Sequence, residues 1–231
     1  MTAPLSELSV DDPRALIAEA CRILYACGQS DIVWGHVAMR DAEGRGVWLK
    51  GSRLGLEEVS ADDVILLSWE GEVVEGAAGR HKEYPIHTAI MARRPDVNAV
   101  VHTHPVHAIA FAATGRPLTH LSHEAMHFVP PDIPRFESTS DIVDTPALGR
   151  ALSDALGDAL AVLMPHHGIT AVGASVGEAV AAAVQLERAC QIALLAGPDA
   201  VPAREEDALL KRQRSGHRLR EVWTYLSRTG G

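Results

Sequence analysis

Apolar side chains recur at helical spacing in the first patterned stretch of the chain, where Leu16, Ile17, Ala20, Ile23, Leu24 and Cys27 form one stripe. Asp12 is placed to cap that helix, Pro13 suits its first position and Gly28 its end. The period then shortens to that of strands. His36-Val-Ala-Met-Arg40 and Gly46-Val-Trp-Leu-Lys50 flank a turn at 41–44, and 64–68 and 72–75 flank Trp69-Glu70-Gly71, so two hairpins are predicted. A helix is expected over 84–93, a strand over 99–104, and a new helix from Pro105 to about Thr114, since proline is tolerated in a helix's first turn. Residues 117–144 carry four prolines and little periodicity and read as a long loop, a feature that usually serves function. A helix over 147–156, strands over 159–164 and 168–172, a long helix from Ser175 and a charged last helix over 205–226 complete the pattern. Hairpins mixed with helices, without repeat or linker, predict one domain over 1–231. Its expected fold class is α/β, a three-layer α/β/α sandwich with a central mixed, largely antiparallel sheet.

Composition narrows the partners. The net charge of −9 removes the basic surface that nucleic acid rewards. The first ten residues have neither a basic start nor an apolar run, so no signal peptide is expected. The alanine-rich run over 176–197 is interrupted by Glu178, Gln185, Glu187, Arg188 and Gln191 and reads as a buried helix rather than a bilayer span. Cys21, Cys27 and Cys190 show no metal or disulfide spacing and fit reduced core thiols, so the expected location is cytoplasmic.

Histidine carries the chemistry. Eight of the twelve histidines lie between positions 81 and 127. In Val100-Val-His-Thr-His-Pro105, residues two apart on a strand share a face, so His102 and His104 can address one ion at the strand's C-terminal end. His167, before Gly168 at another strand end, is the third candidate ligand, and three protein ligands with an open position suit catalytic zinc. Glu83 opens the helix at 84, where a carboxylate either serves the helix dipole, ligates the ion or acts as acid/base beside it. His107 is spaced one turn after His104 to face the same place, and His123 and His127 either line the cleft from the long loop or stand exposed.

Glu83-x3-His87, Arg94-Pro-Asp-Val-Asn-Ala-Val-Val-His-Thr-His104 and His167-Gly168, in that order and spacing from Arg14 to about Ala196, resemble the class II aldolase/adducin family. The resemblance implies a three-layer α/β/α fold, commonly a homotetramer. It assigns one divalent ion per subunit, zinc with manganese, cobalt or iron as alternatives, to His102, His104 and His167. It gives Glu83 the acid/base or fourth-ligand role, and places His166, where the family often has Asn, behind the ligands.

The family's sugar-phosphate aldolases carry Gly-Asn-x-Ser and a Ser-Ser pair to cradle phosphate; this chain has Gly35-His-Val-Ala38 and His81-Lys82 instead. His36, His81 and Lys82, with Arg53 beyond them, suit a small anionic substrate bearing carboxylates. The resemblance therefore implies a metal-dependent carbon–carbon lyase, a decarboxylase of hydroxylated aromatic or heteroaromatic dicarboxylates ahead of an aldolase. An iron-dependent oxidative enzyme and a noncatalytic adducin-like module are the competing readings. The basic run over 211–220 reads as a solvated helix face, or as a flap reaching a neighbouring subunit's site.

Overall fold

The computed structural model of the chain describes residues 12–214 and 217–229, so the expectation about residues 1–10 lies outside the described residues. The first helix, α1 (Pro13–Ala26), starts as the sequence indicates, with the Asp12 side chain accepting from the Arg14 N–H and Gly28 at φ 73° just beyond its end. Strands β1 (His36–Arg40), β2 (Gly46–Lys50), β3 (Val64–Ser68) and β4 (Val73–Glu75) form the two expected hairpins. Then come α2 (Tyr84–Arg93), β5 (Ala99–Thr103), α3 (Val106–Ala113), α4 (Pro146–Leu156), β6 (Ala161–Met164), β7 (Gly168–Gly173) and α5 (Val176–Ala196).

The seven strands make one sheet in the order β4-β3-β2-β1-β5-β7-β6. Every ladder between these strands is antiparallel, and the parallel component expected of a mixed sheet is reduced to an isolated bridge between Arg135 and Leu163. Alternation along the strands divides the core in two. Val37, Trp48, Val101 and Ala171 pack on the side of α1, α3 and α5; Ala38, Leu49, Val100 and Val172 pack on the side of α2 and α4. The fold is thus a three-layer α/β/α sandwich. By length and composition α5 could cross a membrane, but it packs on β7, α1 and α3, with Ala182, Leu186 and Cys190 buried.

The C-terminal expectation of one helix over 205–226 is corrected to two, α6 (Glu205–Gln213) and α7 (Arg218–Thr229). They dock on different surfaces. Ala208 of α6 is buried where the helix meets the turn at Glu124–His127, whereas α7 lays Leu219, Val222, Trp223 and Leu226 against α5 and α1. One straight helix could not satisfy both.

Antiparallel register brings the chemistry into line. His36 of β1 pairs with His102 of β5, and His102 with Thr170 of β7, so all three project from the α2/α4 face of the sheet's centre. Glu83 is the residue from which α2 starts, on that same face.

Candidate metal centre

Four side chains from three segments converge. His102 lies one residue before the end of β5 and His104 one residue past Thr103 at that end, His167 sits in the tight β6–β7 turn and Glu83 heads α2; their donor atoms lie within 4.8 Å of one another. His102 Nε2 is 3.0 Å from His104 Nε2, and Glu83 places Oε2 3.6 Å from His102 Nε2 and Oε1 3.5 Å from His167 Nε2. Glu83 makes no capping bond to its own helix; Oε1 accepts the Val143 N–H at 2.8 Å from the end of the long 117–144 segment. The helix-dipole role foreseen for it is therefore secondary to its contacts with the histidines.

The outer partners of the imidazoles suit this donor set to a cation. His104 Nδ1 lies 2.9 Å from the Asp31 carboxylate, so the neutral ring carries its hydrogen on Nδ1 and a lone pair on Nε2. The Thr170 hydroxyl lies 3.3 Å from Met164 Sδ and 3.4 Å from His102 Nδ1; when it donates to the sulfur it accepts from His102 Nδ1, which leaves a lone pair on His102 Nε2. In that arrangement the two Nε2 lone pairs, 3.0 Å apart, are set to share a cation, and neutral imidazoles oriented by outer partners are what a metal requires. Burial lowers the pKa of His102 well below the ordinary value and that of His104 as well, with Glu83 and Asp31 opposing, so both stay neutral at pH 7. Burial opposes ionisation of Glu83, but the surrounding imidazoles of His167, His36 and His102 more than offset it and hold its carboxyl far below the usual range.

Behind these groups lies a second, buried layer of imidazoles. His36 Nε2 is 3.9 Å from Glu83 Oε2, and His36 Nδ1 is 2.6 Å from His87 Nε2. The His81 ring tilts against His36 at 4.5 Å, and its Nε2 is 3.5 Å from the ammonium of fully buried Lys50. Desolvation pushes His81 down to about 4, with the Lys50 charge adding to it, and His87 down to about 3, with His81 adding to it. Lys82 is exposed beside them, and so is Arg53.

Other expectations change. His107 does not join the cluster: its Nδ1 is 2.7 Å from Glu187 of α5. His166 stands exposed at φ 64°, in the left-handed conformation that Asn also tolerates, rather than behind the ligands. His123 is exposed, while His127 is buried in another region and lines a cavity of about 350 Å³ with Pro131, Leu160 and Arg212. A groove of about 640 Å³ between α2 and α4, walled by Trp69, Tyr84 and Arg93, contains none of the four clustered residues, so donor chemistry and not concavity locates the centre. Sequence reading passed over Asp31, Lys50, Thr170 and the Val143 N–H, and quoted His87 without a role. Of these, only Asp31 and Lys50 carried a readable signal, as charges next to apolar elements.

A three-layer α/β/α sandwich with an antiparallel sheet and, at its centre, a three-histidine, one-carboxylate cluster able to hold a metal ion defines the class of protein. The chain belongs to the family described as Class II Aldolase and Adducin N-terminal domain, which matches residues 15–194. It is 30% identical over 207 residues to 3,4-dihydroxyphthalate decarboxylase of Arthrobacter keyseri, covering 82% of this chain and 80% of the relative. It is 30% identical over 178 residues to L-ribulose-5-phosphate 4-epimerase UlaF of Salmonella paratyphi C, covering 73% and 78%. Among solved structures, L-fuculose 1-phosphate aldolase from Glaciozyma antarctica PI12 is similar with a TM-score of 0.80 and 27% identity, covering 98% of this chain and 94% of that one.

Proposed function

We propose that the protein is a divalent-metal-dependent carbon–carbon lyase that decarboxylates a hydroxylated aromatic or heteroaromatic dicarboxylate. The observation that carries this reading is the convergence of Glu83, His102, His104 and His167 within 4.8 Å, with the Nε2 atoms of His102 and His104 3.0 Å apart. In it His102, His104 and His167 hold the ion, zinc first among the candidates. A divalent ion there supplies Lewis acidity that stabilises negative charge developing on a substrate oxygen.

The chain's own residues do the rest. Glu83 enters the cycle as a carboxylate, because its histidine neighbours hold it ionised. It accepts the proton of the substrate hydroxyl ortho to the leaving carboxylate. When the carbon–carbon bond breaks and CO₂ departs, Glu83 returns that proton to the ring carbon, where the new C–H bond forms; solvent restores the hydroxyl proton, so each turnover takes up one proton. Val143 N–H keeps Glu83 Oε1 in place. Exposed Lys82 meets the second carboxylate through a charge-assisted hydrogen bond, and buried His36 and His81, with Lys50 behind His81, line the substrate site beneath it. Similarity to 3,4-dihydroxyphthalate decarboxylase supports this substrate class. The chain carries histidine and lysine at the positions 36, 81 and 82 that the resemblance associates with phosphate.

The test is incubation of the metal-loaded protein with a panel of ortho-hydroxy dicarboxylates and sugar phosphates, without oxygen, read by mass spectrometry. Release of CO₂ from a dicarboxylate is expected. Conversion of sugar phosphates alone would transfer the protein to the aldolase or epimerase branch represented by its other relatives, and strict need for iron and O₂ would make it an oxidative enzyme. Lys82→Ala should lower kcat/KM more for the dicarboxylate than for its monocarboxylate analogue, by about 1.5–3 kcal/mol, the worth of a charged hydrogen bond.

A further inference from the structure

Glu187 is a carboxylate in the long core helix α5, beside fully buried Leu186, and its side chain is only 14% exposed. It does not pair with a cation of its own helix. It reaches across to α3, where Oε1 accepts the His107 N–H at 3.0 Å and Oε2 accepts the Ala108 N–H at 2.7 Å; His107 Nδ1 lies 2.7 Å from Oε1 as well. The first N–H groups of any helix lack an intrahelical acceptor, and the residue before α3 is Pro105, which has no side chain able to cap. A residue 80 positions away therefore supplies the missing cap, with a charge that the helix dipole favours.

We infer that Glu187 is a positioning residue for His104, acting through the first turn of α3. His104 is joined to that turn only by Pro105, whose ring restricts φ, so the turn's position is passed to the imidazole with little slack. On its other sides His104 is held by Asp31 at 2.9 Å and by the bare backbone of Gly168, where a Cβ would come within 2.6 Å of the ring. Asp31 sets which nitrogen faces the cluster and Gly168 sets how closely β7 approaches. Glu187 sets where the main chain leaving His104 is anchored. Without it, two amides of the first turn lose their acceptor, the turn loosens, and the 3.0 Å approach of His104 Nε2 to His102 Nε2 is no longer enforced.

This inference rests on His104 being a metal ligand, and the experiment separates the two claims. Co²⁺ binding is titrated into wild type, His104→Ala, Glu187→Ala, Glu187→Gln and Leu186→Ala, well below each melting temperature. Leu186→Ala empties a buried site on the same helix and serves as the control for mere destabilisation. The expected result is about 10-fold weaker Co²⁺ binding for Glu187→Ala, the lower end of what orienting partners of metal ligands contribute. Glu187→Gln, which keeps one acceptor oxygen, should recover part of the loss, and Leu186→Ala should melt earlier yet bind as wild type does. If His104→Ala binds Co²⁺ like wild type, the metal assignment itself fails. If His104→Ala loses binding while Glu187→Ala and Leu186→Ala bind alike, Glu187 is only a clip between α3 and α5 and the inference is overturned. Should Glu187→Ala not fold, Glu187→Gln measured against Leu186→Ala decides the question in the same way.

Discussion

At the scale of single residues the centre is a problem of proton placement. Asp31 and Thr170 orient His104 and His102 so that each can present a lone pair on Nε2, and Glu83 faces them as an anion that its neighbours keep ionised. Glu83→Gln preserves shape but cannot exchange a proton near pH 7, so turnover should fall about 10²–10⁴-fold with the melting temperature little changed. A steady-state rate within a few-fold of wild type would reduce Glu83 to a structural part. His104→Ala should strip the bound ion, as elemental analysis of the purified variant would reveal; undiminished metal would refute that assignment. Gly168→Ala tests the packing beneath it. Its Cβ would stand 2.4 Å from the Thr103 carbonyl oxygen and 2.6 Å from the His104 ring. Overpacking of this kind costs about 1–3 kcal/mol, and here metal affinity should drop together with thermal stability. A variant that melts earlier but binds metal normally would show that the ring yields without consequence.

At the scale of elements, the centre is the meeting of a strand end, a hairpin turn, a helix start and the end of a long irregular segment. None of these pieces makes it alone: β5 brings His102, the β6–β7 turn brings His167, α2 brings Glu83, and the 117–144 segment returns with the Val143 N–H. In the opposite layer, the contact of α7 with α5 lies away from the centre. Trp223 of α7 packs on Gly177 of α5, where even a Cβ would meet the indole ring at 2.5 Å. Trp223→Ala should therefore cost stability, about 1–2 kcal/mol for a partly buried aromatic, while leaving Co²⁺ affinity unchanged, because α7 lies on the far face of the sheet. Loss of metal binding in that variant would mean that the docking of α7 itself reaches the centre.

At the scale of the whole molecule, six of the twelve histidines are buried, and this shapes the response to acid. Burial holds His87 down to about 3 and His127 down to about 4, the latter with Arg218 and Arg212 adding to the effect. In the unfolded chain both titrate near 6.5. Below that pH the unfolded state binds more protons than the native state, so stability falls as pH drops from about 6.5 toward 4 and levels off only below the native values. Each such histidine adds a slope of up to about 1.4 kcal/mol per pH unit. Urea melts between pH 4 and 7 would measure this slope, and His127→Gln should flatten it. An unchanged slope would mean that His127 is protonated in the native state too.

The elements were legible in the chain because they rest on local rules. The period of apolar positions, Asp12-Pro13 at a helix start and turn residues between short strands placed nearly every helix and strand to within two residues. The strand-end pair His102 and His104, with His167-Gly168 and Glu83, was legible for the same reason, as residue types at spacings that strands and helices turn into shared faces. The break between α6 and α7 was not, since charged helices of similar composition run together until their docking surfaces are known. Nor were the partners of Asp31, Thr170, Lys50, the Val143 N–H and Glu187, which act on groups far away in sequence. Their partners are chosen by the register of β1, β5 and β7 and by the packing of α5 on α3, and those are set by burial across the entire sheet. Periodicity shows which face a residue takes; only closing the three layers determines what that face meets.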